Sequence, residues 1–283
     1  MPIVGFFRKR PVILVFILVL AGIAFLAFDV RLRIRRYTIP TDKITREIRI
    51  LLITDLHSCK YGEREEELLQ AIAREKPDLL LLGGDIYDDV LPDANVRYFL
   101  EGIEGKYPCY YVTGNHEYWS GRIKKILELF RSHGVNILQG ESALVRLGDQ
   151  ELFLGGLDDP SALRYIRNSP DVKEQLEHIS QEIPQGKYRI LLAHRPESID
   201  LYAKYPFDLV LAGHAHGGQW RIPGLINGVF APNQGWLPKY AGGKYQVGDT
   251  TMIVSRGLAR ESTRIPRIFN PPELVVITLV PSS

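Results

Sequence analysis

DLLLLGGD, residues 78–85, decides how the rest of the chain is understood. Four successive leucines are too apolar for a strand with one face in water, so the segment reads as a strand buried on both faces and ending in the carboxylate of Asp85. Working outward, the same unit recurs. ILLIT (residues 50–54) ends in DLH (55–57), YYVT (110–113) in GNHE (114–117), ILLA (190–193) in His194, and LVLA (209–212) in GHAH (213–216). Between the early strands, residues 63–76, 93–103 and 122–133 are amphipathic at helical spacing and read as crossover helices. The pattern is α/β, with a polar cluster at the carboxyl end of each strand, where open sheets bind ligands.

The later part of the chain is richer in strand and turn signals: SALVRL, ELFLGG, TMIVS and ELVVITLV, with Gly and Pro between them. A second sheet packed on the first is the expectation. No internal repeat or low-complexity tract interrupts the chain, whose 283 residues suit one large domain or two small ones.

Charge is unevenly spread. Up to Arg36 there are seven Lys/Arg against the single acid Asp29, a net +6, while the remainder holds 28 cations against 32 acids, a net −4. A mildly acidic domain behind a basic stretch argues against nucleic acid as a partner and suits an anionic lipid surface. Residues 12–28 form an unbroken apolar run of 17, preceded by Arg8, Lys9 and Arg10. At ~1.5 Å per residue this nearly spans a hydrocarbon core, so the expectation is one uncleaved transmembrane anchor in residues 1–29, with a catalytic domain in 30–283. The short basic tail favours the amino terminus inside, which puts the domain outside the cytoplasm in a single-pass cell-membrane protein. Arg31, Arg33 and Arg35 alternate with apolar residues and look like a strand of the domain. Two cysteines, Cys59 and Cys109, at opposite ends of neighbouring strands, read as separate thiols.

Taken singly, an Asp after a strand is a cap or turn residue and a lone His is a satisfied surface group. The joint pattern is different: five of seven histidines (57, 116, 194, 214, 216) fall at strand ends, expected to belong to one sheet. Asp55, Asp85, His57, His194, His214 and His216, with Asn115 as a further candidate, exceed what one tetrahedral zinc uses. Two divalent ions with a shared carboxylate would use them all, and imidazole with carboxylate but no thiolate suits Mn, Fe or Zn. Two cations, two aspartates and a bridging hydroxide leave +1, a centre suited to an anionic phosphoester.

DLH, GGD, GNHE, a His after an apolar strand, and GHAH, in that order, resemble the calcineurin-like metallophosphoesterase signature over roughly residues 48–279. GHAHGGQWRIP, GLDDP, AHRPE, the turn at Ser255, Arg256 and Gly257, and the closing PPELVVITL resemble its membrane-anchored or exported bacterial branch, related to animal transmembrane proteins with this domain. The resemblance implies a four-layer α/β/β/α sandwich with two mixed sheets. It implies Asp55, His57 and His216 on one metal, Asp85 bridging, and Asn115, His194 and His214 on the other. It leaves His116 to protonate the leaving oxygen, oriented by Asp88, with Asp89 the adjacent competitor. Arg195, Arg256, Arg264 and Arg267 are candidates to hold the substrate's anion, Arg256 foremost because it follows a buried strand and sits in a turn the branch shares, although a solvated arginine explains each at least equally well. The activity implied is hydrolysis of a phosphodiester, phosphomonoester or pyrophosphate by the bridging hydroxide, on a substrate that the anchor suggests is lipid-linked. Related readings are a UDP-2,3-diacylglucosamine diphosphatase of lipid A synthesis and an inactive membrane-bound binding module. An amidohydrolase is disfavoured, because its HxH pair sits on the first strand. No obligate protein partner is expected.

Overall fold

The computed structural model describes residues 4–260 and 265–282, with side chains from residue 12 onward. The strands are β1 (Arg33–Thr41), β2 (Ile48–Ile53), β3 (Leu79–Gly83), β4 (Cys109–Val112), β5 (Asn136–Ile137), β6 (Glu141–Leu147), β7 (Gln150–Gly156), β8 (Tyr188–Leu192), β9 (Leu209–Ala212), β10 (Phe230–Ala231), β11 (Gly235–Trp236), β12 (Gly243–Val247), β13 (Thr250–Val254) and β14 (Glu273–Pro281). The helices are α1 (Val4–Ala27), α2 (Glu66–Glu75), α3 (Ala94–Ile103), α4 (Asn115–Trp119), α5 (Ile123–Ser132), α6 (Ala162–Tyr165), α7 (Val172–Gln181) and α8 (Ile199–Tyr202). One sheet has the order β1-β14-β2-β3-β4-β5 and the other β12-β13-β9-β8-β7-β6. Both are mixed: β2 to β5 and β7 to β9 are parallel, while β14 meets β2, and β6 meets β7, antiparallel.

Side-chain alternation explains why the strands are apolar throughout. Leu79 and Leu81 of β3 point into the layer between the sheets, with Ile50, Leu52, Leu154, Ile190 and Leu211. Leu80 and Leu82 point the other way, against Phe99, Leu100, Ile126 and Phe130 of α3 and α5. On the second sheet Phe153, Leu191 and Val210 pack under Leu176, Ile179 and Ile199 of α7 and α8. The central strands β2, β3, β8 and β9 thus have two buried faces, and the order of layers is helix, sheet, sheet, helix. Residues Leu32 and Ile34, at the start of β1, pack on the helix-side core of the first sheet, as their alternation with arginines predicts. Cys59 and Cys109 are both buried, and no disulfide joins them.

Two expectations are corrected. ELVVITLV does not belong to the second sheet: β14 returns to the first, parallel to β1 and antiparallel to β2, with Val275, Ile277 and Leu279 in the layer between the sheets. Periodicity specifies a doubly buried strand but not which sheet receives it. The histidines do not follow one sheet either, since His57 and His116 follow β2 and β4 of the first sheet, and His194, His214 and His216 follow β8 and β9 of the second. Stacked sheets bring both carboxyl edges to one end of the molecule.

The expected anchor is a separate case: α1 runs over the 24 residues from Val4 to Ala27, yet among the described residues no helix is long and apolar enough to cross a membrane.

Candidate metal centre

The loops that leave the strands turn sharply. Asp55, His57, Asp85, His214 and His216 all have positive φ, between 46° and 64°. Such backbone costs ~1–3 kcal/mol per residue and persists only where the surroundings impose it. Here the loops are tied to one another: Asp55 N–H donates to Gly84 O (3.0 Å), His57 N–H to Asp85 O (2.9 Å) and Gly213 N–H to His194 O (3.2 Å). The carboxylates are themselves held. Asp55 Oδ1 accepts from the His214 N–H at 3.0 Å, and Asp85 Oδ1 from the His116 N–H at 2.9 Å. A Cβ on Gly114 would collide with Asp85 Oδ1, which is why glycine opens GNHE.

The result is three overlapping sets, two of which share Asp85 while the third, His57, Asp88 and His116, joins them through His57. Asp55, His57, Asp85 and His216 bring ligand atoms within 4.8 Å of one another, as do Asp85, His194 and His214, so Asp85 is shared. His194 Nε2 lies 3.1 Å and His57 Nε2 3.6 Å from Asp85 Oδ2, and His214 Nδ1 lies 3.2 Å from His194 Nε2. Asp85 Oδ2, His57 Nε2, His216 Nδ1 and Asn115 Oδ1 are buried without a hydrogen-bond partner. Buried polar atoms are ordinarily satisfied, so this concentration of orphans among imidazole, carboxylate and amide groups is the chemistry of a divalent-cation site. The residues present fit two such ions.

Charges within the cluster are strongly coupled. Burial opposes ionisation of Asp85, but His194, His57 and His116 together hold its carboxyl well below the usual range. Burial likewise disfavours a charged His194, and the Asp85 carboxylate overrides it, raising the imidazole to about 10. His57 is raised despite burial, through its bond to Asp88 and the charges of Asp85 and Asp55. His214 goes the other way, lowered to about 3 by burial and by the positive charges of His194 and Arg195. His216 is lowered too, first by burial and then by His57 and Arg267.

Beyond the ligand candidates, several predicted roles change hands. Asp88 does not orient His116. Its Oδ2 is 3.1 Å from His57 Nδ1, and its Oδ1 accepts from the N–H groups of Val90 and Leu91, so the carboxylate is consumed in its own turn. His116 Nδ1 instead meets Asp89 Oδ1 at 2.6 Å, with Asp88 Oδ2 3.8 Å away. The imidazole of His116 is 23% exposed at the rim, edge-on to His57 and beside Trp119.

Arg256 does not reach the cluster. It is buried, pairs with Glu273 at 3.1 Å, and donates to Asn227 and the Gly242 carbonyl. Arg267 is likewise structural, donating to the carbonyls of Ala259 and Arg256; Arg264 lies outside the described residues. Arg195 does reach the cluster. Asp159 grips it bidentately at 2.6 and 3.0 Å, and Nη1 points at His214 Nε2 (2.6 Å) and Asn233 Oδ1 (2.7 Å). A neutral His214 that offers Nδ1 to a cation carries its proton on Nε2, where Asn233 Oδ1 accepts it at 2.8 Å, so the adjacent Arg195 Nη1, itself a donor, is a neighbour of that nitrogen and not its hydrogen-bond partner. Arg195, Asn233, Trp119 and Arg164 line a cleft of about 230 Å³ on this flank.

Glu117 is a site residue that sequence reasoning missed. Fully buried, it accepts from the N–H groups of Asp85, Ile86, Tyr87 and Gly114 and so clamps the loop that carries Asp85. Burial, with the Asp85 charge, pushes its carboxyl up to about 7 against those four donors. An acid at the third position of a helix opened by GNH is a capping-box signal that could have found it.

A model of the family described as calcineurin-like phosphoesterase matches residues 48–218, from β2 through the last candidate ligand. An uncharacterized metallophosphoesterase of Aquifex aeolicus is 32% identical over 258 residues, 88% of this chain and 92% of its own. The Escherichia coli protein named phosphodiesterase YaeI is 30% identical over 239 residues, 82% of each chain. The Bos taurus transmembrane protein with metallophosphoesterase domain is 30% identical over 230 residues, 75% of this chain but 48% of its own, so this chain spans about half its length. The family match takes in all three overlapping sets and more than half of the sequence, and the chain therefore belongs to the calcineurin-like phosphoesterase family of hydrolases.

Proposed function

We propose that the protein is a membrane-anchored phosphohydrolase with two metal ions, acting on a phosphodiester or related phosphoester that is lipid-linked. The observation that carries the hydrolytic reading is the pair of buried Asp/His sets sharing Asp85, with unpartnered atoms on His57, Asp85, Asn115 and His216. In this reading Asp55, His57 and His216 hold one ion, His194, His214 and Asn115 the other, and Asp85 both. Bound there, the ions supply Lewis acidity toward a phosphoryl oxygen and activate water. His116, kept in place by Asp89, gives its proton to the leaving oxygen from the rim. Arg195 draws the anion toward the cleft beside His214.

The anchoring part rests on the apolar residues 12–28 behind a basic tail and on the printed name of the bovine relative. In this reading the phosphoesterase domain starts at residue 30 and faces away from the cytoplasm. Purified full-length chain in detergent tests the chemistry: two equivalents of Mn, Fe or Zn and chelator-sensitive cleavage of an aryl phosphodiester are expected. Two bound metals with no turnover on aryl phosphodiesters, monoesters or pyrophosphates would overturn it in favour of a binding module.

A further inference from the structure

Two residues after His216 the chain leaves the polar cluster and becomes an apolar surface. Trp220, Val229, Phe230, Trp236 and Ile265 line a cleft of about 240 Å³. Around it Leu225, Trp236 and Leu237 are 79%, 76% and 67% exposed, and Ile222 and Ile265 are about half exposed. Phe230 and Trp236 face each other edge-on across the short β10–β11 hairpin, holding the indole outward. Contiguous exposed apolar area of this kind marks a surface that meets something apolar.

Its attachment says what that is. Trp220 Nε1 donates to Pro266 O (2.9 Å), Arg221 N–H to Ile268 O (3.0 Å), and Ile268 N–H to Gln219 O (3.2 Å). The next residue, Phe269, donates its N–H to Ala27 O at 2.7 Å, the last residue of α1. One short segment is therefore fastened on one side to the apolar loop and on the other to the end of the apolar helix, whose side chains from Val12 to Leu26 are exposed. Directly beyond the helix, Arg31, Arg33 and Arg35 have side chains more than half exposed. Tryptophan and aliphatic side chains next to arginines are the composition of a membrane–water boundary.

We propose that residues 218–237, with Ile265, rest in the headgroup–acyl boundary of a lipid bilayer, so that the metal centre opens beside the membrane surface. This rests on the reading of α1 as the membrane helix. The hairpin tip and Leu225 enter the boundary, the arginines at the start of β1 meet anionic headgroups, and a phosphoester in the bilayer plane reaches Asp85 without leaving it.

The test uses the full chain reconstituted in phosphatidylcholine–phosphatidylglycerol vesicles with or without brominated acyl chains. Trp119→Phe/Trp220→Phe leaves Trp236 as the single indole. Its emission is expected to shift to the blue and to fall about two-fold with brominated lipid, as for an indole at acyl depth, and adding Leu225→Ser and Leu237→Ser is expected to remove most of that quenching. A chain that floats with the vesicles while Trp236 is equally bright in both lipids overturns the proposal. If Trp236 is then also shielded from aqueous acrylamide, a protein copy covers the patch instead. A chain that does not float overturns the α1 reading and this proposal with it. None of these readouts depends on turnover, so loss of the hydrolytic reading is seen separately in the phosphoester assay.

Discussion

The two halves of the metal cluster share Asp85 but are backed by opposite charges. On the first half, His57 rests on the carboxylate of Asp88, and His116 next to it on Asp89. On the second, His194 rests on the neutral Gly83 carbonyl at 2.8 Å, and His214 on Asn233, with the guanidinium of Arg195 beside it. The contrast holds for one imidazole of each half only: His57 is raised through Asp88 despite burial and His214 is lowered to about 3 by burial and neighbouring positive charge, whereas Asp85 raises His194 to about 10 and burial lowers His216. In the proposed reading the acids on one flank would steady a proton donor and the cation on the other would attract an anion. The cleft lined by Arg195 and Asn233 opens on that second flank.

The largest test removes what the halves share. Asp85→Ala is expected to lose both metals by mass-spectrometric metal analysis and to leave no turnover above the metal-free background; one retained ion with residual activity would mean that the halves are independent. Next come the two neighbouring acids, which separate the first half from its rim. His116→Ala is expected to lower kcat ~10²–10⁴-fold, and Asp89→Asn ~10–100-fold, both with two metal equivalents still bound. Asp88→Asn, by contrast, is expected to weaken metal affinity ~10–100-fold through His57; if Asp88→Asn lowers kcat with metal affinity intact, the assignment of the two acids is reversed.

On the cationic flank, Asp159→Asn leaves Arg195 buried without its ion-pair partner and is expected to cost ~3–5 kcal/mol in denaturant unfolding near neutral pH. The pH dependence has a definite sign. Burial opposes ionisation of Asp159, but its bonds to Arg195 hold the folded-state carboxyl below its ordinary 3.8. Its stabilisation is therefore complete above 3.8 and fades as pH falls through the lower, folded value, so the gap between wild type and Asp159→Asn should close in that window. A gap that stays constant down to strong acid would show that the pair is not what Arg195 depends on. The smallest effect is expected from Leu225→Ser/Leu237→Ser on a soluble aryl phosphodiester, within about two-fold of wild type, because exposed substitutions away from the cluster shift energies by ~0.5 kcal/mol.

Most of the candidate site was legible because strand-end motifs carry their chemistry locally. Asp55, His57, Asp85, His194, His214 and His216 could be picked out as one ligand pool, since each follows a run too apolar to be anything but a buried strand. What failed were partners distant in the chain. Arg256 carried a stronger signal than Arg195, yet Glu273 takes the first and Asp159 holds the second beside His214. Asp88 and Asp89 differ by one residue, and only the turn that spends Asp88 Oδ1 on Val90 and Leu91 decides which acid is left for His116.

By itself, then, the chain's pattern of doubly buried strands and terminal Asp, Asn and His determined an α/β layered fold and a pool of cation ligands, because burial periodicity and ligand chemistry are local properties. Tertiary structure alone decided that two sheets, not one, supply those ligands, and that β14 returns to the first sheet. Those outcomes depend on which backbone edges and buried charges find each other across the fold, and no spacing along the chain encodes that choice.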